Sequence, residues 1–439
     1  MAAARYAPDV SAGEHVMVCL YSKASCAALL LSAVASGLHP AAAAGQAPAG
    51  DAASPFEMVG FIQKATLNDP KDTFSGGTIT LNNHVVVVPR YTVLQMPASA
   101  VTWNELFKLA PAPYAPGQTG LALDDRPAPS TTFEVFVQGN RVGDDYIAGL
   151  IFLSQQSTNS HQGFINAIDY GVGELRVGGT PGDLRTGARV RINDPIGRFG
   201  RAMSPDVRFT IDEDNPTVRT ETGYPMCLPR FDPAVADDPA CPQGNRLPAA
   251  TPGAFLTTFT MPPPGGDGSA VTMPDARRMA PFEVGDYITY SGNLMRDADG
   301  SYVSAWTVVA NVGIFTAPGT QPVYVAIDVL LAGTGPTANV ELAQEAAKRT
   351  RVEGFTTDPT NAVQVFAVDV DPCTGTATNR FWAAQAVDPG PPNGAVKGRW
   401  RFRPAAPLFD LKGFPFLPSS RDVLAVSDGG SATPLANGL

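Results

Sequence analysis

Thr78-Ile79-Thr80-Leu81-Asn82-Asn83-His84-Val85-Val86-Val87-Val88 is the stretch on which the fold turns. Two apolar, β-branched runs flank Asn-Asn, a tight-turn dipeptide, so the stretch reads as a hairpin of two strands. Working outward, Met58 to Thr66 begins with Val59-Gly60-Phe61-Ile62 and reads as a strand before the hairpin. On the other side, Thr102-Trp103-Asn104-Glu105 has the spacing of a capping box, and Pro111 stops the short helix it opens. Beyond a Pro-rich loop at 110–130, strand-like alternation resumes in Phe133 to Gly139 and Tyr146 to Leu153.

Strand, strand, strand, short helix, strand, strand is the element order of an OB-fold barrel. The order then partly repeats. Gly60-Phe61-Ile62 returns as Gly163-Phe164-Ile165, Phe133-Glu134-Val135 as Phe282-Glu283-Val284, and Tyr146-Ile147-Ala148 as Tyr302-Val303-Ser304. A third start stands at Gly354-Phe355-Thr356, followed by strand-like Val363 to Val368, Arg380 to Val387 and Arg399 to Arg403. Repetition of a supersecondary unit is what tandem barrels require. The GFI, FEVG and DYI motifs and the element order resemble secreted bacterial and fungal proteins of unknown function built from tandem OB-like β modules. The resemblance spans most of Phe56 to Val309; it implies a fold and carries over no catalytic residue. The expected architecture is all-β: a barrel over 56–155, a second over 160–310 interrupted by a loop insertion at 194–281, a third β module over 311–426, and a flexible tail at 427–439. The segment Asn339 to Arg349 has helical composition, with a connecting strand as its alternative. The tail reads either as a flexible end or as a truncation.

Composition supports short strands joined by many turns. Gly (43) and Pro (41) punctuate the 439 residues while charged residues make up only 16%, which excludes coiled coils and long solvated helices. A 44% apolar content excludes wholesale disorder. The net charge of −10 argues against a general polyanion-binding role, nucleic acid included, because that needs a basic face.

Residues 17–44 have the layout of a secretory signal peptide: Lys23, an apolar run from Ala27 to Leu38, and Ala42-x-Ala44. The run is shorter than the roughly 20 residues a membrane span needs. We therefore expect an extension and leader over 1–44 with Met17 as the start, a secreted or periplasmic mature chain, and no transmembrane span in it; the alternative is an Ala-rich disordered tail. Cys227 and Cys241, 14 residues apart in a Pro-rich excursion, are then expected to form a disulfide contributing about 3 kcal/mol. Cys373 is the odd thiol, either buried or paired between molecules.

Chemistry is sparse. His84 and His161 lack any nucleophile motif beside them, so no catalytic residue is assigned. Asp212 with Asp214, and Asp297 with Asp299, place oxygen donors close together and are candidate calcium ligands; for the second pair, a hairpin turn at Asp299-Gly300 explains the pattern equally well. No other cofactor is expected. Trp103, Tyr146, Tyr302, Trp306 and Trp400 are candidate ligand-stacking rings, against the alternative of core packing. Trp400 sits among Arg399, Arg401 and Arg403 in the sole basic-aromatic cluster of the chain, whose bland reading is a charged edge strand. These features lead to an exported, non-enzymatic binding or structural module of the cell envelope or extracellular space, with a carbohydrate or another envelope protein as partner. One alternative is a carbohydrate-binding or carbohydrate-active protein using the 194–281 insertion. Another is an oligomeric surface protein.

Overall fold

The computed structural model describes residues 54–154, 160–212, 214–264, 273–332, 350–371, 374, 376–403 and 422–428. The leader at 1–44, the segment at 339–349, Cys373 and all but the first two residues of the tail lie outside them. The described chain is predominantly strand, as the sequence pattern requires.

The first module is built from β1 (Ser54–Phe61), β2 (Lys64–Leu67), β3 (Gly77–Leu81), β4 (His84–Val88), β5 (Val93–Gln95), β6 (Ala100–Thr102), α1 (Trp103–Lys108), β7 (Glu134–Val142) and β8 (Asp145–Ser154). β1 and β2 are two halves of one bent strand: β1 pairs with β7, and β2 pairs with β3. The circuit closes because β7 pairs with β8, β8 runs parallel to β4, and β4 pairs with β3. Asn82 and Asn83 turn the β3–β4 hairpin with φ of 50° and 65°, the left-handed values that Asn tolerates. The capping box forms as read, with Thr102 Oγ1 accepting the Glu105 N–H at 3.2 Å and the Glu105 carboxylate accepting the Thr102 N–H at 2.8 Å. It aims Trp103 into the barrel, where the ring is fully buried and its indole N–H donates to the Thr66 carbonyl at 2.9 Å.

The second module starts with β9 (Ser160–Asp169), β10 (Glu174–Val177) and β11 (Ala188–Ile192). The insertion then carries a 3₁₀ turn (Val207–Phe209), β12 (Val218–Thr220), β13 (Met226–Cys227), β14 (Thr258–Met261) and β15 (Ala280–Pro281). It is followed by β16 (Tyr287–Asp297), β17 (Gly300–Ala310) and β18 (Gly313–Thr316). The circuit is the same as in the first module. One half of β9 pairs with β16 and the other with β10; β10 pairs with β11, β11 runs parallel to β17, and β17 pairs with β16.

The two GFI segments occupy equivalent places. Gly60 and Phe61 face Val135 and Glu134, and Gly163 and Phe164 face Ile288 and Tyr287. The following isoleucines, Ile62 and Ile165, are both 1% exposed and turn inward at the bend. The other two sequence matches are corrected by register. Glu134 and Val135 correspond to Tyr287 and Ile288, so Phe282-Glu283-Val284 lies in the loop before β16 instead of on the strand. Tyr146, opposite Val86, corresponds to Val303, opposite Val190, one residue beyond Tyr302.

The third start is a different architecture. Its strands are β19 (Val325–Ala332), β20 (Thr350–Thr356), β21 (Val363–Val370), β22 (Ala377–Gln385), β23 (Arg399–Phe402) and β24 (Asp422–Ser427). They form two three-stranded sheets, β19-β20-β23 and β22-β21-β24, over a shared core that includes Val352, Val365, Trp400 and Phe402. Among the described residues this module closes no barrel.

The insertion has no periodicity, and polar side chains hold its backbone instead. The Asn245 amide donates to the carbonyls of Asp275, Arg278 and Met279, and Cys227 and Cys241 are disulfide-bonded with both residues fully buried. From that frame it reaches the first barrel. Arg208, 1% exposed and paired with Asp206 at 2.7 Å, donates to the carbonyls of Leu106 and Thr119, while Phe209 packs on Phe133 with ring centroids 5.5 Å apart. A buried guanidinium whose three nitrogens all donate to acceptors is a costly group to disturb, which makes this contact specific. Among the described residues, no helix is long and apolar enough to cross a membrane.

Candidate functional site

Both barrels carry a β-bulge at the same point of the hairpin that joins their last two strands. In the first, Gln138 and Gly139 face Leu150 and Ala148, leaving Gly149 as the extra residue. In the second, Ser291 and Gly292 face Thr307 and Ala305, leaving Trp306. A bulge re-aims one side chain. Here it sends the Trp306 ring to Phe209, 6.1 Å away between centroids, into the apolar core of the first barrel.

Just past each bulge a short extra strand runs parallel to the last barrel strand. Gln95 of β5 faces Phe152 of β8, and Arg219 of β12 faces Val309 of β17. These four residues all line one cleft of about 370 Å³, where the two barrels, the insertion and the third module meet. The cleft is thus made by equivalent edges of two like barrels. Phe152 is a half-buried part of its wall, and its ring neighbours Phe136 at 6.0 Å.

The insertion contributes Asp212, Asn215, Thr217 and Arg219 to the lining. Asp212 is 2% exposed and its Oδ1 accepts the N–H groups of Asp214 (3.0 Å) and Asn215 (2.9 Å). Burial pushes its carboxyl up to about 7, outweighing these two bonds, which favour the ionised form. Asn215 is fixed to the third module by a reciprocal pair with the Ile327 backbone, both bonds at 2.9 Å. Arg219 donates to Asp328 at 2.8 Å and to the carbonyls of Thr220 and Glu221; burial lowers its pKa. Thr217 Oγ1 donates to the Trp306 carbonyl. The cleft therefore presents a carboxyl that is largely neutral below pH 7, an Arg–Asp pair and an aromatic wall within one small volume.

Of the residues singled out from sequence, Asp212 and Trp306 meet at this cleft. Trp306 contributes an edge only, being 7% exposed, and Trp103 and Trp400 are 0% and 1% exposed. The expectation of stacking faces on these three rings is corrected to core packing, since large rings at barrel and sandwich positions supply the core area. Tyr146 and Tyr302 are half-buried on different barrels, with Arg141 and Arg191 over their respective faces at 5.7 and 4.3 Å. Asp297 is held well below the usual carboxylate range by hydrogen bonds from Arg189, and Arg191 also reaches it at 2.8 Å. The pattern Asp297-Ala298-Asp299-Gly300 is a hairpin turn, with Asp299 donating its N–H to Asp297 at 3.0 Å and Gly300 at φ 111°. Asp214 serves the Asp212 turn, and no group of three or more His, Cys, Asp or Glu side chains among the described residues could hold a metal ion.

Sequence reading missed Asn215, Thr217 and Arg219. Their one signal was proximity to Asp212 in a long ordered insertion. It also missed a larger, more open cleft of about 640 Å³ beside the bend of β9. Phe164 and Tyr287 meet edge to face there, and the Lys397 ammonium lies 3.9 Å from the Phe315 ring centre. Its acids are Asp286, engaged by Arg246 at 2.7 Å, and the exposed Glu221, whereas the junction cleft holds the buried Asp212. Comparison with known proteins finds no matching family model, curated protein or solved structure.

Proposed function

We propose that this chain is an exported, non-enzymatic binding module in which two OB-like barrels and a third β module seat a neutral carbohydrate in the junction cleft. The observation that carries the reading is the buried carboxyl of Asp212, kept largely protonated below pH 7 beside an apolar wall and an Arg219–Asp328 pair. Sugars present hydroxyls that donate and accept around an apolar ring face. A neutral acid, a guanidinium and a carboxylate together serve both kinds of bond, and Phe152 serves the face. The strand circuit 3-2-1-4-5-3, shared by both barrels, supports the OB-like reading. The Cys227–Cys241 bridge supports export, since structural disulfides persist in oxidising compartments. Screening the full chain on an array of neutral oligosaccharides, followed by calorimetry, tests the reading. At least one neutral glycan should bind, and Asp212→Ala should weaken it about tenfold, the weight of one hydrogen bond to a buried partner. An array without a neutral binder would overturn it.

One observation favours a second reading, a carbohydrate-active enzyme. Asp328 puts a second carboxyl on the same cleft, and acid pairs in contrasting environments divide acid and base roles in glycoside hydrolysis. Under that reading the bound glycan is cleaved and Asp212→Asn abolishes release of reducing ends while leaving binding in place.

A further inference from the structure

The GRWRFR stretch becomes β23, the outer strand of the sheet β19-β20-β23 in the third module. Alternation sends Trp400 and Phe402 into the core and puts Arg399, Arg401 and Arg403 on the opposite face. On the adjoining β20, Glu353 faces Arg401 directly, and Arg351 lies two residues before it. Four guanidinium groups therefore converge on one carboxylate. Arg351 and Arg399 stand at 2.7 and 2.9 Å, Arg403 pairs with it directly, and Arg401 lies 3.6 Å away. Glu353 is 2% exposed, beneath the arginines; burial opposes its ionisation, but the bonds from Arg351, Arg399 and Arg403 outweigh this and hold it at about 2.

We propose that this face is a binding surface for an anionic polysaccharide, one carrying carboxylate or sulfate groups. A carboxylate offers about four acceptor sites, whereas Arg401 and Arg403 alone carry about ten N–H donors, so Glu353 cannot satisfy them. The side chains of Arg401 and Arg403 are 47% and 51% exposed, leaving planar forks that suit bidentate oxyanion contacts. Glu353 acts as the anchor that orients them. Asp388 also acts on Arg401 electrostatically while its oxygens accept the N–H groups of Gly390, Ala395 and Val396, so among the described residues four guanidinium groups stand against two carboxylates. The face thus remains net positive on a chain whose net charge is −10. Screening over about 8 Å at physiological salt lets such a local field act against the overall charge. One observation favours a polysaccharide over nucleic acid as the polyanion: the buried disulfide, which belongs to an oxidising compartment. This site is separate from the junction cleft and stands or falls without it.

The test is affinity electrophoresis of the full chain in gels containing polygalacturonate, dextran sulfate or neutral dextran, with duplex DNA as a competitor. Retardation by polygalacturonate, dextran sulfate or both, and none by dextran, is expected, and which polymer retards tells carboxylate from sulfate recognition. The Arg401→Gln/Arg403→Gln double variant should bind about tenfold more weakly or worse, with a shallower salt dependence; because Arg403 also pairs with the buried Glu353 its thermal midpoint should fall, whereas Arg401→Gln alone, 3.6 Å from Glu353, should weaken binding with the midpoint little changed. Arg141→Gln, an exposed arginine on the first barrel, should change nothing. No retardation by either anionic polymer, unchanged retardation of the double variant, or tighter binding of DNA than of both polysaccharides would overturn the proposal.

Discussion

The two barrels share a strand circuit, a bend at Gly-Phe-Ile and a bulge at one point of one hairpin, yet they differ in two local ways. Between its third strand and the hairpin of its last two strands, the first has α1, a six-residue helix that drops Trp103 into its own core. In the same interval the second has the disulfide-clamped insertion, whose Arg208 and Phe209 serve the first barrel and whose Asn215 and Arg219 serve the third module. At the bulge the first places an exposed Gly149 and the second places Trp306. A barrel of this kind leaves its loop and its bulged residue free to vary. In the second copy both have become contacts between modules, and the junction cleft is what they enclose.

Breaking the bulge contact should have the largest effect. Trp306→Ala is expected to cost about 3–5 kcal/mol in denaturant titrations, the range for losing a buried Trp, while Gly149→Ala at the equivalent position should stay within about 0.5 kcal/mol. A Cβ on Gly149 would meet nothing closer than 3.6 Å. Equal effects at both positions would end the asymmetry.

Next comes Asp212, whose carboxyl is raised from 3.8 in the unfolded chain to about 7 in the folded one. Its contribution to stability is therefore complete below about pH 4 and is lost as the pH rises through 7, up to a ceiling of about 4 kcal/mol. Urea midpoints of the wild type should fall over that window relative to Asp212→Asn, and parallel pH profiles would contradict this. Replacing Cys227 and Cys241 by Ser should then cost about 3 kcal/mol, with the loss seen first as faster proteolysis of the insertion. The smallest effect is Thr102→Ala in the helix of the first barrel, about 1 kcal/mol by thermal denaturation, because a single cap is removed there.

What could be read from sequence was what lies close in sequence. The Asn82-Asn83 turn, the Thr102–Glu105 capping box, the Cys227–Cys241 pair and the two GFI bends each depend on residues at most 14 apart. Register did not show, because apolar alternation is the same for strands slipped by a few residues. That is why Phe282-Glu283-Val284 resembles Phe133-Glu134-Val135 in sequence yet only precedes the equivalent strand. The third module's two sheets stayed hidden for the same reason. The cleft was legible only at Asp212 and Trp306, since Asn215 and Arg219 are fixed by partners about a hundred residues away: Asn215 to Ile327 across 112 positions and Arg219 to Asp328 across 109.

The most direct test of the cleft as a seat for a neutral sugar is the pH dependence of binding, measured by calorimetry with a glycan found on the array. A protonated Asp212 donates a hydrogen bond and an ionised one cannot, so wild-type affinity should fall as the pH rises with a midpoint near 7. Asp212→Asn, which keeps a donor at every pH, should bind with a flat profile. A wild-type profile that is flat from pH 5 to 9, or an Asn variant that keeps the same fall, would contradict the account.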